Sequence, residues 1–161
     1  MTVEDLVFAD QLEPGERWPI GRYLMEEREM VDFSRAWDPQ PMHVDVEGAG
    51  RNHYGGVIAS GVHTFAVYVR LAVDSVYSRW AVVAGRTVRD LEYPRPVRPG
   101  MTLTGSVLVE AVEPRGGGRS LVRHSGILAD DDGDPVFTVA VEAYVFRSAR
   151  ARAAHREGRQ Q

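Results

Sequence analysis

Between Asp38 and Gly61 the chain reads DPQPMHVDVEGAGRNHYGGVIASG. A carboxylate and an imidazole five residues apart can move protons to and from a bound molecule. Such a pair works only if its separation is fixed. Asp38 precedes a proline, which drives its backbone away from helical angles. Pro39 and Pro41 then stiffen the path to His43. At the far end of the stretch, Ser60 is a natural N-cap for the apolar run that follows. The N–H groups of Gly61, Val62 and His63 would then lie at the positive end of a helix without intrahelical acceptors. Donors of this kind can bind a developing oxyanion. Gly61 has no side chain to keep a carbonyl away. Taken singly, each residue has an ordinary structural reading: an Asp-Pro turn, a solvated histidine, a packing glycine. The combination of Asp38, Pro41, His43 and the Ser60-Gly61 helix start points to a site.

The elements that must hold this stretch are legible on both sides. Glu26 to Trp37 has acidic residues in its first turn, and Met30, Phe33 and Trp37 recur at helical spacing. That predicts a helix ending at Asp38, with those apolar residues as core contacts and Trp37 as an alternative wall of the site. Residues 61–78 predict one long buried helix, with Val62, Phe65, Ala66, Val69, Val73 and Val76 as its apolar stripe. Residues 1–19 read as an irregular arm, and Ile20 to Leu24 as a short strand. The second half is strand-rich. Val82 to Tyr93 alternates poorly. Leu103, Val107, Val109 and Ala111 share one face, Leu121 to Ala129 is a further strand, and Phe137 to Val145 alternates to the end. Pro114 with Gly116 to Gly118 reads as a loop, and Asp130 to Asp134 as a hairpin turn. One long helix followed by successive strands predicts an α+β fold. After Phe146 the composition turns to Arg, Ala and Gln, so residues 148–161 read as a basic, flexible tail behind a single domain over 1–147.

Composition narrows the function classes. The 161 residues are enough for one domain with a sizeable core. A net charge of −4 gives no reason to expect nucleic acid. Without cysteine there is no disulfide framework and no thiol nucleophile. No apolar run is long enough to span a bilayer, and the N-terminus lacks a signal-peptide pattern, so a cytoplasmic protein is expected. Asp45 and Glu47 follow His43, but one histidine without a familiar ligand spacing does not make a metal site, and they read as solvated loop carboxylates. No metal or organic cofactor is expected. His63 reads as a capping or neighbour contact, with a second catalytic base as the alternative.

At Asp38, Pro41 and His43 the sequence resembles the MaoC-like dehydratases and (R)-specific enoyl-CoA hydratases. That family carries a D-x-N-P-x-H segment, followed by I-x-x-G at the entry to a central helix. Ile58 and Gly61 match the second part, and Gln40 stands where Asn is common. Tyr54-Gly55-Gly56, Ser60 to Thr64 and Arg95 to Gly100 are also similar to members of the family. The resemblance implies a hotdog fold, with an antiparallel sheet wrapped around the central helix, and pairing as a homodimer. It also implies a hydro-lyase that interconverts trans-2-enoyl-CoA and (R)-3-hydroxyacyl-CoA. Asp38 and His43 would be its acid-base pair and the Gly61 N–H its oxyanion donor. Gln40, Tyr54, Gly56 and Ser60 are the candidate substrate contacts, with packing as the competing role of Tyr54. One departure is Val69, which occupies a position where some hydratases place a supporting serine. The alternatives are a hotdog acyl-CoA thioesterase, which sends water to the carbonyl carbon, and a non-catalytic acyl-binding or assembly protein. Arg70, Arg95 and Arg98 are candidate contacts for CoA phosphates, with surface solvation as the competing role.

Overall fold

The computed structural model describes residues 6–157. Five strands form one antiparallel sheet: β1 (Arg17–Leu24), β2 (Val82–Glu92), β3 (Thr102–Arg115), β4 (Arg119–Ala129) and β5 (Pro135–Phe146). Their order across the sheet is β1-β3-β4-β5-β2. The three central strands are consecutive hairpins, whereas β1 and β2 lie at opposite edges. The chain between those edges must therefore cross the sheet. It does so through helix α1 (Glu27–Trp37), the short helix α2 (Pro41–Val44) and helix α3 (Gly61–Ala72), which runs on through a π turn at Val73–Tyr77. Helix α3 packs on β1, β3 and β4. This is the expected α+β hotdog, a sheet wrapped around one central helix.

The strands follow the apolar alternation. Phe137, Val139, Ala143 and Val145 of β5 are buried, as are Leu103, Val107 and Val109 of β3. A bulge between Val109 and Ala111 ends the clean alternation of β3. The poorly patterned β2 shifts register three times and places Asp90 at φ 51°. The Asp130 side chain builds the β4–β5 turn by accepting the N–H groups of Asp132 at 3.1 Å and Asp134 at 2.9 Å.

Three expectations are corrected. The buried face of α3 carries His63, Thr64, Val67, Tyr68, Leu71 and Ala72, and Val76 of the π turn continues it. Val62, Val69 and Val73 are exposed instead. The helix is apolar on two faces, and periodicity alone does not say which one meets the sheet. Trp37 is 74% exposed, because α1 packs on α2 and α3 through the face that carries Met30, Val31 and Ser34, which does not include Trp37. Pro114 stays in β3 opposite Ser120, and only Gly116 to Gly118 turn; the strand lies next to an edge and tolerates the missing donor. The basic segment after Phe146 forms helix α4 (Ala149–Glu157), which buries no residue and touches the domain through His155 against Phe146, ring centroids 5.4 Å apart.

A polar chain crosses the interior. The Tyr77 hydroxyl lies 2.8 Å from His124 Nε2 and 3.3 Å from the Tyr68 hydroxyl. Both Tyr68 and His124 are buried. Burial drives the His124 imidazole down to about 4 and raises both phenols.

Candidate active site

Helix α1 stops at Asp38, whose backbone is at φ −155° and ψ 70° while its N–H still donates to the Ser34 carbonyl at 2.8 Å. Pro39 keeps this ψ out of the helical region. Pro41 then opens α2 at a position where a missing N–H costs nothing. The Gln40 N–H donates to the Asp38 carbonyl and the His43 N–H to the Gln40 carbonyl, each at 2.8 Å. Residues 38–45 are thus a hydrogen-bonded double turn. The chain returns beside it through Val57 to Ser60, all buried. The Ile58 N–H donates to the Met42 carbonyl at 3.1 Å, and the Ala59 N–H to the Val97 carbonyl at 2.9 Å.

This packing sets the state of His43. Its Nδ1 lies 2.9 Å from the Ile58 carbonyl oxygen. A carbonyl only accepts, so Nδ1 carries the proton and Nε2 presents a lone pair in the neutral ring. Nε2 is 3.5 Å from Asp38 Oδ2. The His43 side chain is 6% exposed and that of Asp38 21%, so the pair sits at the boundary between interior and solvent.

Asp38 is held by donors on both oxygens. The Ser60 hydroxyl donates to Oδ2 at 2.6 Å and the Gln40 amide to Oδ1 at 2.9 Å. Ser60, then Gln40, then the nearby His43 hold the carboxyl below the usual carboxylate range, against the opposing effect of desolvation. Gln40, standing where the family often has Asn, therefore has a specific partner.

Ser60 is also the N-cap of α3. Its Oγ accepts the Val62 N–H at 3.1 Å. Of the three N–H groups expected to be available at this helix start, that of Val62 is therefore taken. Gly61 lines a cavity of about 470 Å³ together with His43, Tyr54, Ile58, Thr64 and Tyr93. Asp38 borders the pair from the Ser60 side and is not in that lining.

The remaining expected residues divide. Tyr54 faces the cavity, and its carbonyl accepts from Arg98 Nη2 at 2.7 Å. Gly56 does not face the cavity; its carbonyl accepts from Asn52 at 3.1 Å, which closes the loop that carries Tyr54. Gly56 is thus a loop residue rather than a lining residue. Asp45 accepts the Gly48 N–H at 2.8 Å and serves its own turn. His63 stacks on Phe33, centroids 4.5 Å apart, and its Nε2 is 3.4 Å from Glu29. Burial lowers its pKa. Arg70 pairs with Asp74 and Arg95 with Asp134, so neither is a free cation.

Tyr93, which the sequence marks only as the end of a strand-like segment, also lines the cavity. It follows β2, 45% exposed, with its ring beside Gly61. The only local signal is the Tyr-Pro-Arg-Pro run, which marks a stiff break without indicating what it faces.

Residues 13–126 match the family model described as MaoC like domain. The solved structure of a MaoC-like dehydratase from Rhodospirillum rubrum is 31% identical and superposes with a TM-score of 0.79, covering 88% of this chain and 98% of that one. A UPF0336 protein of Streptomyces avermitilis is 31% identical over 140 residues, 81% of this chain and 89% of that protein. The unliganded (R)-hydratase PhaJ1 of Pseudomonas aeruginosa, at 21% identity, shares the fold with a TM-score of 0.70, over 89% of this chain and 88% of that one. With the family model spanning most of the chain, the protein belongs to the MaoC-like domain family.

Proposed function

We propose that the protein is a hydro-lyase that adds water to a trans-2-enoyl-CoA to give the (R)-3-hydroxyacyl-CoA, or removes it in reverse. The observation that carries this reading is the Asp38–His43 pair. The His43 Nε2, the ring nitrogen left over once Nδ1 donates to the Ile58 carbonyl, lies 3.5 Å from a carboxylate that two donors keep ionised. Water held between them gives a proton to one acceptor while its oxygen bonds to C3 of the substrate. The alkene electrons move to the thioester oxygen as C3 is attacked. The Gly61 N–H meets that oxygen, a contact worth about 2.7–4 kcal/mol where it acts as a strong oxyanion donor. Collapse of the enolate takes a proton at C2 from the same pair. Both new bonds then form on one face of the substrate.

The cavity supports the same reading. At about 470 Å³ it is of ligand size, with Ile58, Val97 and Val136 as an apolar floor and His43 at its edge. Exposed Val62, Val69 and Val73 on α3 and Val88 and Leu91 on the edge strand β2 favour a homodimer, since an unpaired strand and apolar side chains call for a cover. Among the described residues no helix is long and apolar enough to cross a membrane.

Incubation with crotonyl-CoA tests the reading. Loss of enoyl absorbance with CoA still esterified, and recovery of the (R)-3-hydroxy product, is expected. Release of free thiol would instead make the protein a thioesterase. Binding without turnover would make it an acyl-binding protein.

A further inference from the structure

The ring of Tyr93 lies directly against Gly61. A methyl group on Gly61 would be 2.9 to 3.1 Å from three of its ring carbons, closer than such contacts tolerate. The ring is also backed. Its centroid is 5.7 Å from that of Phe137, which is fully buried and packs in turn against Tyr68 at 5.3 Å and Phe65 at 5.9 Å. Pro94 follows and restricts the Tyr93 backbone to extended angles. Phe137 and the restricted backbone close the core side of the ring, which is 45% exposed on the other. It forms one wall of the cavity shared by His43 and Gly61.

We propose that Tyr93 is a specificity-determining residue that restricts the site to acyl thioesters unbranched at C2. The inference rests on the hydro-lyase reading only in where it puts the thioester carbonyl, against the Gly61 N–H. The carbon next to that carbonyl is then the acyl atom nearest the ring. A hydrogen on C2 fits beside an aromatic wall, whereas a methyl group meets carbon that Phe137 holds in place. Overpacking a backed wall is unfavourable because neighbours must leave their rotamers.

Two measurements test this. The first is the ratio of kcat/KM for crotonyl-CoA to that for its 2-methyl analogue, tiglyl-CoA, in the wild type, Tyr93→Ala and Tyr93→Phe. The methyl group also lowers the intrinsic reactivity of the alkene, so the informative quantity is the change in the ratio. Tyr93→Ala is expected to shift it towards tiglyl-CoA by about tenfold or more, and Tyr93→Phe to leave it in place, because the ring and not the hydroxyl does the excluding. The second is the ratio of dissociation constants for butyryl-CoA and isobutyryl-CoA, which needs no turnover. The wild type is expected to favour butyryl-CoA, and Tyr93→Ala to lose most of that preference. If neither enoyl-CoA turns over but the binding preference depends on Tyr93, the hydro-lyase reading fails and the assignment of Tyr93 stands. If the wild type binds and processes branched and straight acyl groups alike, or if Tyr93→Ala leaves both ratios unchanged, the assignment is overturned.

Discussion

The Ser60 hydroxyl donates to Asp38 Oδ2 at 2.6 Å, and its Oγ accepts the Val62 N–H that opens the central helix. One side chain thus ties the acid of the proposed pair to the helix start that carries the oxyanion donor. Ser60→Ala and Ser60→Gly each remove both contacts, but glycine is the better tolerated of the two at an N-cap. Ser60→Ala is expected to cost about 0.5–2 kcal/mol of stability and Ser60→Gly only a few tenths. Both should raise the Asp38 pKa towards its ordinary value. A depressed carboxylate is ionised and active above its folded pKa, so the acid limb of the pH–rate profile should move to higher pH in both variants. Urea melts together with pH–kcat/KM profiles check this.

Gly61→Ala tests the contact with Tyr93. The added methyl meets the ring at 2.9 Å, so a loss of about 1–3 kcal/mol is expected from overpacking. Combined with Tyr93→Ala the loss should be largely relieved, since residues in contact are not additive. Thermal melts of the two single variants and the double variant decide it.

Most of this site is legible in the sequence, because it depends on local chemistry. Asp38-Pro39, Pro41 and Ser60-Gly61 dictate a helix end, a stiff turn and a helix start whatever the rest of the chain does. The identity of the fold's strands follows equally from alternation in β3 and β5. What is not legible is which of two apolar faces of α3 meets the sheet, and which distant residue closes the cavity. Tyr93 lies at the end of the edge strand β2, and only the crossing of the chain between the two sheet edges brings it to Gly61. Val69, at the departure from the family pattern, is exposed, and Asp38 takes its side-chain donors from Ser60 and Gln40.

Acid should destabilise the fold through His124. Its folded pKa of about 4 is below the ordinary 6.5, so folding favours the neutral ring. The contribution is complete above pH 6.5 and is lost as pH falls through the window down to about 4, to a total on the order of 3 kcal/mol. Burial of His63 acts in the same direction. Urea melts at pH 7 and pH 4.5 should show this loss, and His124→Gln should show a smaller difference between the two.

Assembly is expected through the exposed apolar surface. The wild type should run as a dimer or larger in light scattering. Val73→Asp, which puts a charge on the outer face of the central helix, should shift it towards monomer. A wild type that is monomeric at assay concentrations contradicts the proposed pairing.

The most direct test of the proposed chemistry is hydration of crotonyl-CoA by the wild type, Asp38→Asn, His43→Gln and the double variant, with circular dichroism as a control for folding. Each single change keeps size and removes proton transfer, so each should lower kcat/KM by about 10²–10⁴. The double variant should lose far less than the product of the two, because the pair acts as a unit. Near-wild-type turnover by either well-folded single variant would contradict the account and return that residue to a structural role in the turn.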